Sequence, residues 1–125
     1  MDNNNRSHEM LIEGITNQMK TILETSDQAI YIYLDNIHKV CNQKFASLLG
    51  YRTPDEWAQD DDPMASVDGK SQRLLVSTYQ KAMEHMVGSS VPITWKKKSG
   101  SAVDTTVILV PISYQDHLFA MHFIS

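Results

Sequence analysis

Apolar residues first recur at helical spacing. From His8 to about Thr25, Leu11, Ile12, Ile15, Met19, Ile22 and Leu23 return at three- and four-residue intervals, which predicts one amphipathic helix. Ser7 is the predicted N-cap, with Glu9 in the first turn, and the polar MDNNNRS before it reads as a disordered arm over residues 1–7. The period then changes. Ala29–Leu34, rich in Ile and Tyr, and Ile37–Cys41 are predicted strands joined by turn chemistry at Asp35 and Asn36. Asn42 is placed to cap a short helix with Phe45, Leu48 and Leu49 on its inner face, and Gly50 ends it. Pro54 opens a helical turn through Trp57, and 59–63, with three consecutive aspartates, reads as solvated loop.

A longer helical pattern runs from Lys70 to Val87 after Asp68, with Leu75, Tyr79, Ala82, Met83 and Met86 on one face and Gly88 as its stop. Three strand patterns follow, Val91–Lys97, Ala102–Ile112 and His117–Ile124, separated by Ser99-Gly100 and by Gln115-Asp116. In the last of them both alternating sets are largely apolar, so both faces of that strand need cover. Either the first helix supplies the second cover in cis or another copy of the chain supplies it in trans. The stripe Leu11, Ile12, Ile15, Met19 and Ile22 is accordingly the candidate dimer interface, its spacing also suiting two heptads.

Composition narrows the function classes. The 125 residues suit one domain, and fifteen acidic against eleven basic residues give a net charge of -4, the wrong sign for an unassisted nucleic-acid binder. A single cysteine, Cys41, forms no intramolecular disulfide, and neither a signal-type start nor a membrane-length apolar run is present, so the expected compartment is the cytoplasm and no membrane partner is expected.

The spacing of reactive side chains matches no familiar catalytic or metal-binding motif. Gly69-Lys70-Ser71 ends like a phosphate-binding loop, but Met64 stands where the first glycine belongs. Counting a calcium loop from Asp60 puts Ala65 and Ser71 where glycine and a bidentate glutamate are needed. His117 and His122 are five apart on one strand and point to opposite faces, so no histidine pair has metal spacing and no metal site is expected. Cys41 has no adjacent base, and no nucleophile elbow occurs, so the chain is not expected to be an enzyme and no catalytic residue is assigned. Lys96, Lys97 and Lys98 read as a solvated hairpin tip, and Tyr31, Tyr33, Tyr79 and Trp95, whose polar handles on apolar bodies suit the ring of a cavity, read first as core or interface packing.

The order of these elements, with AIYIYLDNIHKVCNQKFASLLGY at the start and TWKKKSGSAVDTTVILVPISYQDHLFAMHFIS at the end, resembles a PAS domain over about residues 22–125. Arg52-Thr53-Pro54-Asp55-Glu56-Trp57 looks like the turn that follows the glycine-tyrosine pair in that family. The resemblance implies an α+β fold: a five-stranded antiparallel sheet with helices on one face, here over residues 26–125, plus the N-terminal amphipathic helix over 8–25. It also implies a sensory or protein-interaction module in signal transduction that dimerises and has a core cavity for a small molecule. Phe45, Leu49, Trp57, Tyr79, Met83, Trp95 and His122 are the candidate wall of that cavity. A separate signalling protein, such as a kinase or regulator, is the implied partner.

The departures bear on cofactors. The flavin photosensor branch carries its reactive cysteine in an NCRFLQ-like helix, whereas Cys41 precedes the asparagine here. The haem branch carries a ligand histidine early in the long helix, where this chain has Lys70, Ser71, Gln72 and Arg73, with His85 only near the far end. Haem or flavin is therefore unsupported by motif, and no cofactor is the expectation. The alternatives are a ligand-free scaffold for homo- or hetero-dimerisation and, after it, a haem or flavin redox sensor.

Overall fold

The computed structural model describes residues 2–125 apart from 36, 61 and 63, with side chains from residue 7 onward. Five strands form one antiparallel sheet: β1 (Ala29–Tyr33), β2 (Lys39–Cys41), β3 (Ser89–Lys96), β4 (Ala102–Tyr114) and β5 (His117–Ile124), in the spatial order β2-β1-β5-β4-β3. The helices are α1 (Asp2–Thr25), α2 (Gln43–Leu48), α3 (Pro54–Ala58) and α4 (Gly69–His85). This is the expected α+β architecture.

The sheet has two buried faces because β1 and β5 are apolar on both. On the inner face Ala29, Tyr31, Ala120 and Ile124 join Phe45, Leu49, Trp57, Leu75 and Trp95 in one core with α2, α3 and α4. On the outer face Ile30, Ile32, Phe119 and Met121 pack with Leu11, Ile12 and Ile15 of α1. The register places Tyr31 opposite His122 and Ile32 opposite Met121, so neighbouring pairs serve opposite layers.

The second cover is thus supplied in cis. Leu11, Ile12 and Ile15, expected at a dimer interface, are buried against the chain's own sheet, Met19 packs on the same layer, and Ile22 alone of the five is 39% exposed. Burying a side chain of this kind contributes about 1.5–3 kcal/mol, which is what seats α1. Gly14 lets it sit close: a Cβ there would run into the Tyr114 hydroxyl.

Several boundaries differ from the sequence expectation. α1 starts at Asp2, so the arm expected over 1–7 is helical in its described part and Ser7 lies inside the helix instead of capping it. No proline or glycine occurs in 2–13 to stop a helix propagating backward from the docked turns. Met1 lies outside the described residues, as does the turn chemistry expected at Asn36, and Asp61 and Pro63 of the expected aspartate loop. β2 begins at Lys39, not Ile37, because Asp35 Oδ1 accepts the amides of Ile37 and His38 at 2.8 and 2.6 Å and turns them away from the ladder. Partial burial works against the Asp35 carboxylate, but hydrogen bonds from His8, Ile37 and His38 outweigh it and hold its pKa down to about 2.

Caps fix the short helices. Asn42 Oδ1 accepts from the amides of Phe45 and Ile30 at 3.0 and 3.1 Å, and its Nδ2 donates to the Gln28 carbonyl at 2.8 Å. One buried amide thereby caps α2 and ties it to β1. Thr53 caps α3 through the Glu56 amide, and Asp68 caps α4 through the Lys70 amide. α4 ends at His85, with Met86 in the left-handed conformation (φ 53°), a role expected of Gly88. Met86 is consequently 54% exposed and not on the inner face where its spacing had put it. Gly88 is small for another reason: a Cβ on it would lie 3.0 Å from Val110 Cγ1.

β4 extends past the end of β3, whose first residue Ser89 pairs with Leu109. Pro111 therefore lies where one flank of β4 is unpaired and its missing amide hydrogen does not break a ladder on that side. No helix among the described residues is long and apolar enough to cross a membrane.

Candidate functional site

Between the inner sheet face and α3 and α4 lies a cavity of about 270 Å³. Its floor is Tyr31 and Tyr33 of β1, Trp95 of β3 and His122 of β5; Trp57 of α3 and Tyr79 of α4 close its sides. These side chains converge because strand positions two apart share a face and because β1 and β5 are hydrogen-bonded neighbours.

Tyr31 is the hub. Its ring stacks on His122 with centroids 3.8 Å apart, on Phe45 at 5.0 Å, and meets Trp57 and Trp95 edge-on at 5.6 Å each. Both indole N–H groups are already used: Trp57 Nε1 donates to Ser66 Oγ at 3.1 Å and Trp95 Nε1 to Thr105 Oγ1 at 2.8 Å. The indoles are oriented by the protein itself, and the cavity is left with their faces.

Two groups break the apolar character of the wall. Lys39, on β2, is buried, and its Nζ lies 4.4 Å from the centroid of the Trp57 ring, a cation–π contact. His122 is buried by 98% and its Nδ1 has no hydrogen-bond partner among the described residues. Burial lowers the His122 pKa to about 3, with backbone hydrogen bonds at Tyr31 and Ala120 opposing it, so the ring is neutral at physiological pH. Burial likewise raises the Tyr31 hydroxyl, which stays protonated. The cavity therefore presents aromatic faces beside the Lys39 side chain, while His122 Nδ1 is sealed in the packing behind the wall.

Of the residues expected to line it, Trp57, Tyr79, Trp95 and His122 meet at the cavity. Phe45 and Leu49 are fully buried in the packed core beside it, and Met83 is partly buried against that core. α2 presses Phe45 onto Tyr31, which fills the space a wider pocket would need. Tyr31 and Tyr33, read as core packing in preference to a cavity ring, line the wall as well, and Lys39, a lysine on a three-residue strand, gave no signal.

The cavity does not fit the larger cofactors of the resembled family. At about 270 Å³ it lies just below the usual size of ligand pockets, leaving room for one ring and not for haem or flavin. His85, the histidine of the long helix, is exposed at its end and does not reach the cavity. The Cys41 thiol is buried at the end of β2, where burial pushes its pKa up to about 12, so it is held as a neutral thiol.

Comparison of the sequence with protein-family models finds no match, and comparison with curated proteins finds none either. Comparison of the fold does. A PAS domain from a two-component sensor histidine kinase superposes with a TM-score of 0.67 over 90% of this chain and 96% of its own, at 10% identity. A PAS domain from Colwellia psychrerythraea gives 0.70 over 89% and 95%, at 18% identity. The LOV protein of Rhodobacter sphaeroides gives 0.72 over 90% of this chain and 66% of its own, at 12% identity.

Proposed function

We propose that this chain, which folds as a PAS domain, is a sensory module whose signal is a small, one-ring molecule bound in the inner cavity. The observation that carries the reading is the cavity itself, walled by Tyr31, Trp57, Tyr79, Trp95 and His122 beside a core that is otherwise filled. Covering the aromatic wall removes apolar surface from water at about 25 cal/mol per Å², and the ring faces favour a flat ligand. Lys39, which lines the cavity beside Trp57, supports an acceptor or carboxylate on the ligand. Neither feature serves bond-making, so the proposal is binding without catalysis, and the cytoplasm is its proposed setting.

Ligand occupancy would be read through packing: Trp57 on α3 and Tyr79 on α4 both close over the site, so filling it favours one seating of these helices. Homodimerisation belongs to the same proposal, through surface other than the buried stripe of α1; exposed Met10 and Ile37 support it. Sedimentation of the full chain that shows only monomer across a wide concentration range removes that part.

The test of the cavity uses phenol, benzoate and 4-hydroxybenzoate as probes. Saturable quenching of tryptophan emission with a raised melting temperature is expected, the two carboxylates binding tighter than phenol because Lys39 lines the site. Unchanged emission and melting with all three, together with native mass spectra of freshly purified protein showing no bound small molecule, would make the chain a filled-core scaffold.

A further inference from the structure

Away from the cavity, two imidazoles from distant parts of the chain close on one carboxylate. His8 of α1 places Nε2 2.7 Å from Asp35 Oδ2, and His38, before β2, places Nδ1 2.9 Å from both Asp35 oxygens. One donor atom from each of the three lies within 4.8 Å of the others. Two imidazole nitrogens and one carboxylate oxygen are the donor set that suits zinc and its neighbours in the first transition row, with the remaining position open to water.

Two further features fit a cation and are not needed by a simple hydrogen-bond cluster. Asp35 is locked in place by the amides of Ile37 and His38, both on Oδ1, which leaves Oδ2 directed at the imidazoles. On the far side of the His38 ring, Nε2 lies 3.6 Å from Glu9 Oε1. Proteins orient a metal-bound imidazole with a carboxylate hydrogen-bonded to its second nitrogen, and Glu9 needs to close by about half an ångström to make that bond. The three donors are also between a quarter and a half exposed, so an ion has a path in.

We propose that His8, Asp35 and His38 form a divalent transition-metal site, of the zinc class, that clamps α1 to the β1–β2 turn. The consequence is mechanical. α1 is the cover of the outer sheet face, and its N-terminal half would be tied at His8 to the turn that leads out of β1, where Asp35 lies two residues beyond Tyr33 of the cavity floor. Metal occupancy would thus tighten the outer layer of the same strand whose inner layer faces the ligand. The inference stands apart from the cavity proposal, since no residue is shared between the two sites.

The test is titration of the full chain with Zn²⁺ by calorimetry and with Co²⁺ by its visible d–d absorption, after treatment with chelator. One ion per chain and a tetrahedral or five-coordinate Co²⁺ spectrum are expected, with a raised urea midpoint in Zn²⁺. His8→Ala and His38→Ala should each weaken Zn²⁺ binding by more than about tenfold and abolish the Co²⁺ band, and Glu9→Gln should weaken it by about tenfold while keeping the band. His85→Ala and His117→Ala, which alter exposed histidines elsewhere, should change nothing. Circular dichroism of each variant establishes that it is folded, and His8 is on the surface, where its replacement leaves the core intact. No binding by the wild-type chain, or binding indifferent to His8→Ala and His38→Ala, overturns the proposal.

Discussion

His122 lies flat against Tyr31 across the β1–β5 ladder, the two rings 3.8 Å apart at their centroids and 11° from parallel. The stacking holds a titratable ring in a place where it cannot be charged, so the fold's stability carries its signature. The His122 pKa is lowered to about 3 in the folded chain by burial, against 6.5 when free. Between those values the unfolded chain binds a proton that the folded chain does not, so stability falls as pH drops below 6.5 and the fall continues to about 3. From pH 7 to pH 5 the expected loss is about 2 kcal/mol. His122→Phe keeps a ring on Tyr31 and removes the proton. The measurement is urea unfolding of both proteins over that range, and equal slopes for the two would show that His122 titrates normally.

The fold was legible because the chain changes period where it changes element, and because the stops are local. Asn42, Gly50, Pro54 and Asp68 act on amides or backbone angles within a few positions of themselves. Non-local constraints were not readable. The left-handed cap fell to Met86 because Gly88 is committed to its close approach to Val110. The cavity was half legible: Trp57, Tyr79, Trp95 and His122 sit on inner-facing positions, whereas Phe45 and Leu49 occupy the same face but are packed away by the seat of α2. His8 and His38 gave no metal signal, since their meeting depends on where α1 docks.

Asn42 is the most consequential polar side chain in the core. It answers two amides and one carbonyl from two separate segments, α2 and the start of β1, and it is 96% buried. Asn42→Ala should cost about 2–4 kcal/mol, since the cap is lost and the Ile30 amide and Gln28 carbonyl are left dry. Asn42→Ser keeps a cap oxygen but cannot span to Gln28, and should recover less than half of that. Chemical denaturation reads both; a loss below about 1 kcal/mol for Asn42→Ala would mean that water replaces these bonds.

The β4–β5 hairpin closes through Gln115 and Asp116, both left-handed at φ 48° and 66°, between the paired Tyr114 and His117. A two-residue turn with both angles positive favours Asn followed by Gly. Gln115→Asn with Asp116→Gly should therefore stabilise the chain by about 0.5–1 kcal/mol, because the present side chains hold a backbone region that costs them more than it costs Asn or Gly. The thermal midpoint is the readout. No gain would place the strain elsewhere in the loop.

Ile15 decides how the outer face is covered. It is fully buried between α1 and the sheet, among Ile30, Ile32 and Met121. Ile15→Ala opens a void in that layer, for an expected loss of about 2–4 kcal/mol, near the full value because the surrounding strands are held by their ladders and cannot collapse onto it. The cover is supplied by the same chain, so the loss should be the same at low and high protein concentration. A cover lent by a second copy behaves otherwise, since dilution would strip it from the variant first and widen the gap between variant and wild type. Urea midpoints of the pair at two concentrations separate the cases, and a gap that grows on dilution would place the partner of Ile15 in another molecule.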